Sequence, residues 1–244
     1  MILAHGVTKS FPTGWFGQGP RTAVLRGFDF EAQPGQITGL LGKNGAGKTT
    51  FFRGLTGLDP FETGVVNLDG IDPKRHPEQA RGRIALLPEE PGVEPSSSGK
   101  EHLELFGTLN GLDKPRLARR IEEANNHLDM KDFWERPFRS YSKGQKARVA
   151  LARIRMMESA SVLVFDEPTN GLDFEAATRV HHFIRTLAQE GRTVVVASHI
   201  LNDLRVLCDR LVGLSDGITA TAAQVESWMA AHARADRAEA LDAT

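Results

Sequence analysis

Residues 37–50 read Ile37-Thr38-Gly39-Leu40-Leu41-Gly42-Lys43-Asn44-Gly45-Ala46-Gly47-Lys48-Thr49-Thr50, an apolar run passing directly into a glycine-rich loop that ends on Lys-Thr-Thr. The run predicts a strand. The glycines let the backbone wrap until successive N–H groups point inward, and a helix opening near Lys48 aims the positive end of its dipole into the same space. The loop from Gly42 to Thr49 is therefore expected to cradle the phosphates of ATP or GTP. Lys48 would reach the β and γ phosphates, the Thr49 hydroxyl would ligate Mg²⁺, and Thr50 would face the α phosphate.

A second stretch, Val162-Leu163-Val164-Phe165-Asp166-Glu167, is a continuous apolar run closed by two carboxylates. Such a run suits a central parallel strand, and ligands of open α/β sheets sit at the carboxyl ends of their strands. Asp166 is placed to bind Mg²⁺, directly or through water. Glu167 is placed to orient and polarise the water that attacks the γ phosphate. Alone, the pair reads as a strand end meeting solvent; the phosphate loop changes that reading.

Outward from these two stretches, residues 1–11 and 24–32 predict an antiparallel pair of strands, joined by a Gly- and Pro-rich loop carrying Trp15 and Phe16. Residues 50–58 continue the helix after the phosphate loop, 64–68 with Asp69-Gly70 predict a strand and turn, and 83–87 a strand closed by Pro88. From 89 to about 139 the pattern is helical only. Ser98 followed by Glu101 has capping-box spacing, and Asp113 with Pro115 opens a second helix, so two or three helices fit there. Residues 142–157, 174–187 and 200–208 predict helices, and 161–165, 193–197 and 210–214 strands. Strand and helix alternate, which predicts an α/β fold with a parallel sheet. The Ala-rich end, 222–244, predicts one weakly amphipathic helix through Val225, Trp228 and Met229, a solvated appendage.

The 244 residues can bury one large domain with an insertion, and 30 basic against 31 acidic residues give no positive excess for a nucleic-acid backbone. Cys208 has no partner for an internal disulfide and reads as a small apolar residue. No run approaches the roughly 18 apolar residues a membrane span needs, and the first residues lack a charged-then-apolar export signal. These features predict a soluble, cytoplasmic chain.

Ser142-Lys143-Gly144-Gln145 has the spacing of another capping box, and so of another anion-binding helix terminus. One phosphate tail is not easily held by two such termini of one subunit, so the second is most useful presented by a partner. With the phosphate loop and the acidic pair, this segment resembles the signature Leu-Ser-Gly-Gly-Gln of ATP-binding cassette proteins, Tyr141 standing for the Leu and Lys143 for the first Gly. Pro168-Thr169-Asn170-Gly171-Leu172-Asp173 resembles the family's D-loop, and His199 its switch histidine. Taken singly, His199 also fits a core or capping role, and Asp173 is most simply the cap of the helix that follows.

The resemblance spans nearly the whole chain and implies a P-loop NTPase core with a mostly parallel sheet, an antiparallel β subdomain at its start and an inserted helical subdomain. It divides the chain into a first core part at 1–88, helices at 89–140, the signature helix and remaining core at 141–221, and a tail at 222–244. It implies an ATPase in which two subunits close on Mg-ATP, with Glu167, His199 and Lys48 catalytic. Ser142, Lys143, Gly144 and Gln145 would act on the partner's nucleotide. Glu89, in Leu87-Pro88-Glu89-Glu90, departs from the family's Gln: it can still approach Mg²⁺ beside Thr49 and Asp166 but adds negative charge. By the same resemblance the aromatic that stacks on adenine would be Phe11, with Trp15 and Phe16 as rivals. Pro-Glu-Glu-Pro-Gly at 88–92 and the signature's Ser-Lys-Gly resemble free-standing ATPase subunits of bacterial exporters. That implies a second ATP-binding subunit, identical or not, and an integral membrane permease docked near 89–100, which would hold this chain on the inner face of the cell membrane. The alternative is a soluble cassette ATPase acting on nucleic acid, the ribosome or cofactor assembly.

Overall fold

Every residue of Ile37–Leu41, Val162–Asp166 and Thr193–Ser198 is buried, which strands achieve only when both faces of their sheet are covered. The structure, a computed structural model describing residues 1–13, 19–89, 92–221 and 223–228, makes these β3, β6 and β7. The other strands are β1 (Ile2–Pro12), β2 (Arg21–Ala32), β4 (Thr63–Leu68), β5 (Ile84–Leu87), β8 (Arg210–Ser215) and β9 (Ile218–Ala220). The helices are α1 (Lys48–Leu55), α2 (Pro77–Arg83), α3 (Gly99–Leu109), α4 (Lys114–Leu128), α5 (Lys143–Ala152), α6 (Phe174–Gln189) and α7 (Leu201–Leu207).

A six-stranded sheet runs β5-β6-β7-β3-β8-β9, and a three-stranded antiparallel sheet runs β2-β1-β4. All pairs in the larger sheet are parallel except β8 with β9. Side-chain alternation divides the core in two. On β6, Leu163 and Phe165 join the residues of α3 to α7, whereas Val162 and Val164 join α1 and the antiparallel sheet. The central sheet is thus covered by helices on one face and by α1 with the small sheet on the other. Its carboxyl edge brings the ends of β3, β6 and β7 together.

Local chemistry explains the helix starts. Ser98 and Ser142 each form a complete capping box, with Glu101 and Gln145 at the third helical position, while Asp113 and Asp173 cap α4 and α6. Several expectations need correction. The parallel sheet acquires an antiparallel edge because Asp216 and Gly217, at φ 49° and 80°, turn the chain back into β9. The helix expected at 142–157 is α-helical only to Ala152 and tightens to a 3₁₀ turn at Arg153–Met156. The tail is not wholly a solvated appendage: residues 223–228 are helical, and Trp228 packs against the core. Trp15, Phe16, Glu90, Pro91 and Met229 lie outside the described residues.

Close packing seats α1. Phe61 lies across Gly54, where an added Cβ would stand 2.2 Å from the ring, and the Phe61 and Phe51 rings are 5.9 Å apart. Gly54→Ala would stabilise an exposed helix by about 1 kcal/mol. Here overpacking wins, and a net loss of about 1–3 kcal/mol is expected. Urea unfolding checks this; an unchanged or raised midpoint would refute it.

Candidate functional site

The sequence around Gly47 folds as it does because glycine is needed there. Its φ of 112° lies outside the range of residues with a side chain, and a Cβ would come within 3.0 Å of Leu25. From that residue α1 starts with no side-chain cap, so its first N–H groups remain available. Lys48, the first helical residue, folds back over the loop: Nζ donates to the Gly42 carbonyl at 2.7 Å and stands 3.2 Å from Glu167 Oε1. Both charged side chains are 6% exposed. Such a buried pair requires its remaining valences to be met.

They are. Glu167 Oε1 accepts from the His199 backbone N–H and lies 2.9 Å from His199 Nδ1, while Oε2 accepts from Ser198 Oγ at 3.0 Å. Glu167 occupies the left-handed region at φ 51°, immediately beyond β6, with its N–H donating to Ala197. A non-glycine residue held there stores backbone strain, a feature that clusters at functional sites. The carboxylate is gripped from β7 and α1 at once.

One residue earlier, Asp166 accepts from Thr49 Oγ1 at 2.8 Å. Burial pushes the Asp166 carboxyl up from its usual range; Thr49 and Lys48 oppose this, and Glu167 and Glu89 add to it. Two hard oxygen donors side by side suit Mg²⁺, which takes few protein ligands and completes its shell with phosphate and water. Among the described residues no three His, Cys, Asp or Glu converge into an all-protein metal cage. Glu89 Oε1 instead accepts from Asn170 Nδ2 at 2.7 Å.

A cavity of about 310 Å³ is lined by Phe11, Lys43, Asn44, Gly45, Gly47, Lys48, Thr49, Thr50, Glu89, Asp166 and Glu167. Gly42, Ala46 and His199 line an adjoining one. The structure therefore brings together the loop, the acidic pair, Glu89 and the candidate aromatic, with the Lys9 ammonium 5.2 Å from the Phe11 ring centre. It does not bring Ser142, Gly144 or Gln145 to the walls of either cavity. Lys143 lies across Gly171 of the same chain, close enough that a Cβ there would stand 2.3 Å from Nζ. Asp173 Oδ1 accepts from Ala176 N–H at 2.8 Å, the simple cap.

Sequence reasoning missed Ser198 and the Asn170 partnership. No pattern marks a serine at the end of a buried strand as a carboxylate donor, and the Asn170 contact spans 81 residues. Cys208 is half-buried, and burial pushes its thiol up to about 12, which disfavours the thiolate. Among the described residues no helix is long and apolar enough to cross a membrane.

Known proteins supply the remaining link. The model of the ABC transporter family matches residues 25–170. The ABC transporter ATP-binding protein NatA of Bacillus subtilis is 34% identical over 80% of this chain and 79% of its own length. The daunorubicin resistance ATP-binding protein DrrA2 of Streptomyces coeruleorubidus is 35% identical over 80% of this chain, which spans 60% of that longer relative. A dimeric ATP-binding cassette solved with ADP and Pi superposes with a TM-score of 0.79 over 91% of this chain and 97% of its own, at 23% identity, and so speaks for the fold. The chain belongs to the ABC transporter family as one of its ATP-binding, ATP-hydrolysing subunits.

Proposed function

We propose that two copies of this chain, or one copy with a sister subunit, close around Mg-ATP and drive a separate membrane permease as an exporter. The observation that carries this reading is the division of the site. Lys48, Asp166 and Glu167 converge beneath the phosphate loop, whereas Ser142, Gly144 and Gln145, at a helix terminus closed by its own capping box, line neither that cavity nor the adjoining one. A second subunit would supply the missing Ser142, with Gly144 and Gln145, across an interface. The related cassette solved with ADP and Pi is a dimer, and relatives such as DrrA2 bear names of resistance and export.

Thr49 and Asp166 would hold Mg²⁺, with Glu89 at the edge of the same cavity; the ion would neutralise phosphate charge. Lys48 Nζ is engaged by Gly42 and Glu167. An incoming triphosphate offers stronger negative charge, draws Lys48 away and frees Glu167 Oε1 to accept a proton from the attacking water. His199 and Ser198 keep the carboxylate oriented during that exchange. Phe11 would stack on the base, and Thr50 would contact the α phosphate. The permease would dock in the groove between core and helical insertion, near 89–100, and so would hold the chain at the inner membrane face. ATP turnover raised on reconstitution with that permease is the check of this part; turnover unchanged by it would contradict the coupling.

Ser142→Glu tests the shared site, since it sets a carboxylate against the partner's γ phosphate. ATP-driven dimerisation, followed by sedimentation, is expected to weaken at least about tenfold through like-charge repulsion, while ATP affinity of the monomer is retained. Undiminished dimerisation would contradict the reading.

A further inference from the structure

The loop that opens the helical segment is zipped to the segment that leads into Ser142. Arg139 N–H donates to the Pro95 carbonyl at 3.0 Å, Phe138 N–H to Ser97 at 2.8 Å, and Lys100 N–H to Trp134 at 3.0 Å. The last rung differs. Gly99 N–H, the first free donor of α3, is accepted by the Tyr141 hydroxyl at 2.9 Å, in a buried bond between residues 42 apart. Tyr141 adjoins Ser142, the cap of α5, and is itself 5% exposed. Its ring meets Phe133 edge-on and packs against Phe138, each with centres 5.1 Å apart. A Cβ at residue 99 would come 2.9 Å from the hydroxyl, so glycine is what admits the contact.

We propose that Tyr141 is a positioning residue: its hydroxyl locks the start of α3 to the Ser142 cap, so that the two move as one body when subunits close. A second side-chain rung, Lys100 Nζ to Glu135 Oε1 at 3.2 Å, is exposed to solvent; the Tyr141 rung is buried, and a substitution at Tyr141 removes it. Apolar packing alone would hold Tyr141 in place but leave the cap free to rock against α3. The hydrogen bond adds direction. Because Gly99 N–H is buried and has no other acceptor among the described contacts, losing the hydroxyl also strips α3 of one capping interaction. This inference rests on the proposed role of Ser142 at the partner's nucleotide.

Tyr141→Phe keeps the ring and deletes the acceptor; Tyr141→Leu, the residue of the resembled signature, deletes the acceptor together with the ring that packs on Phe133 and Phe138. Each is made in a Glu167→Gln background, and ATP-driven dimerisation is compared with binding of a fluorescent ATP analogue to the monomer. The expected result is a dimer dissociation constant raised about fivefold, the worth of one hydrogen bond, with monomer nucleotide affinity within about twofold. A purely structural role would lower the unfolding midpoint and leave dimer affinity unmoved at temperatures well below it. If either folded variant dimerises like its Tyr141 parent, the proposal is overturned. If Ser142→Glu also dimerises normally, the shared-site reading itself has failed; if only the Tyr141 variants do, the failure is confined to this inference.

Discussion

Glu167→Gln is expected to bring ATP hydrolysis down by at least about a hundredfold, the usual range for loss of a positioned general base, while ATP-dependent dimers persist. The substitution is nearly isosteric. Its carbonyl oxygen can still accept from the His199 backbone N–H, as Glu167 Oε1 does at 2.9 Å, so the β6–β7 junction should hold. What disappears is the negative charge that faces Lys48 at 3.2 Å and the capacity to take a proton from water. Single-turnover hydrolysis with parallel sedimentation separates the two effects. Undiminished turnover would remove Glu167 from the role of base.

Lys48→Ala has the other large effect. Loss of a preorganised charge contact to the transferring phosphoryl group costs about 10²-fold or more in rate. In this chain the damage extends to the resting site, because Lys48 is the cation that lies against buried Glu167 and ties it to the Gly42 carbonyl. Removing one partner of a buried ion pair leaves the other charge uncompensated. ATP affinity should therefore fall together with turnover, in contrast to Glu167→Gln, where affinity survives. Equilibrium binding of a fluorescent ATP analogue beside steady-state hydrolysis checks this; a Lys48→Ala protein that turns over ATP at the parent rate would contradict the assignment.

The parts of the fold that were legible in the sequence are those decided by neighbours in the chain. A glycine-rich loop between an apolar run and a helix carries its own geometry, and so does a cap: Ser98, Asp113, Ser142 and Asp173 each accept from a backbone N–H three residues on. Continuous apolar runs at 37–41 and 162–165 had to be strands covered on both faces. Elements set by distant contacts escaped. α2 buries only Ala80 among its seven residues, so it has no apolar period to read. β9 is three residues long and exists through pairing with β8. The 3₁₀ ending after Ala152, whose residues Arg153, Ile154, Arg155 and Met156 are all buried, leaves no mark in the pattern.

The site divides the same way. Lys48, Thr49, Asp166 and Glu167 were legible because phosphate and Mg²⁺ chemistry needs those groups at those positions. That Glu89 would be held by Asn170, and Glu167 by Ser198, depends on how β5, β6 and β7 align at their carboxyl ends. The Tyr141 hydroxyl likewise finds Gly99 only after the helical segment has packed. Sequence offered a tyrosine beside a cap and no reason to expect its partner.

The central claim is that nucleotide is shared between subunits, and the most direct test is an experimental structure of Glu167→Gln with Mg-ATP. Each triphosphate should lie in the Gly42 to Thr49 loop of one copy with the γ phosphate touched by Ser142 of the other. A nucleotide contacted by a single chain, with both Ser142 residues remote from any phosphate, would contradict the account.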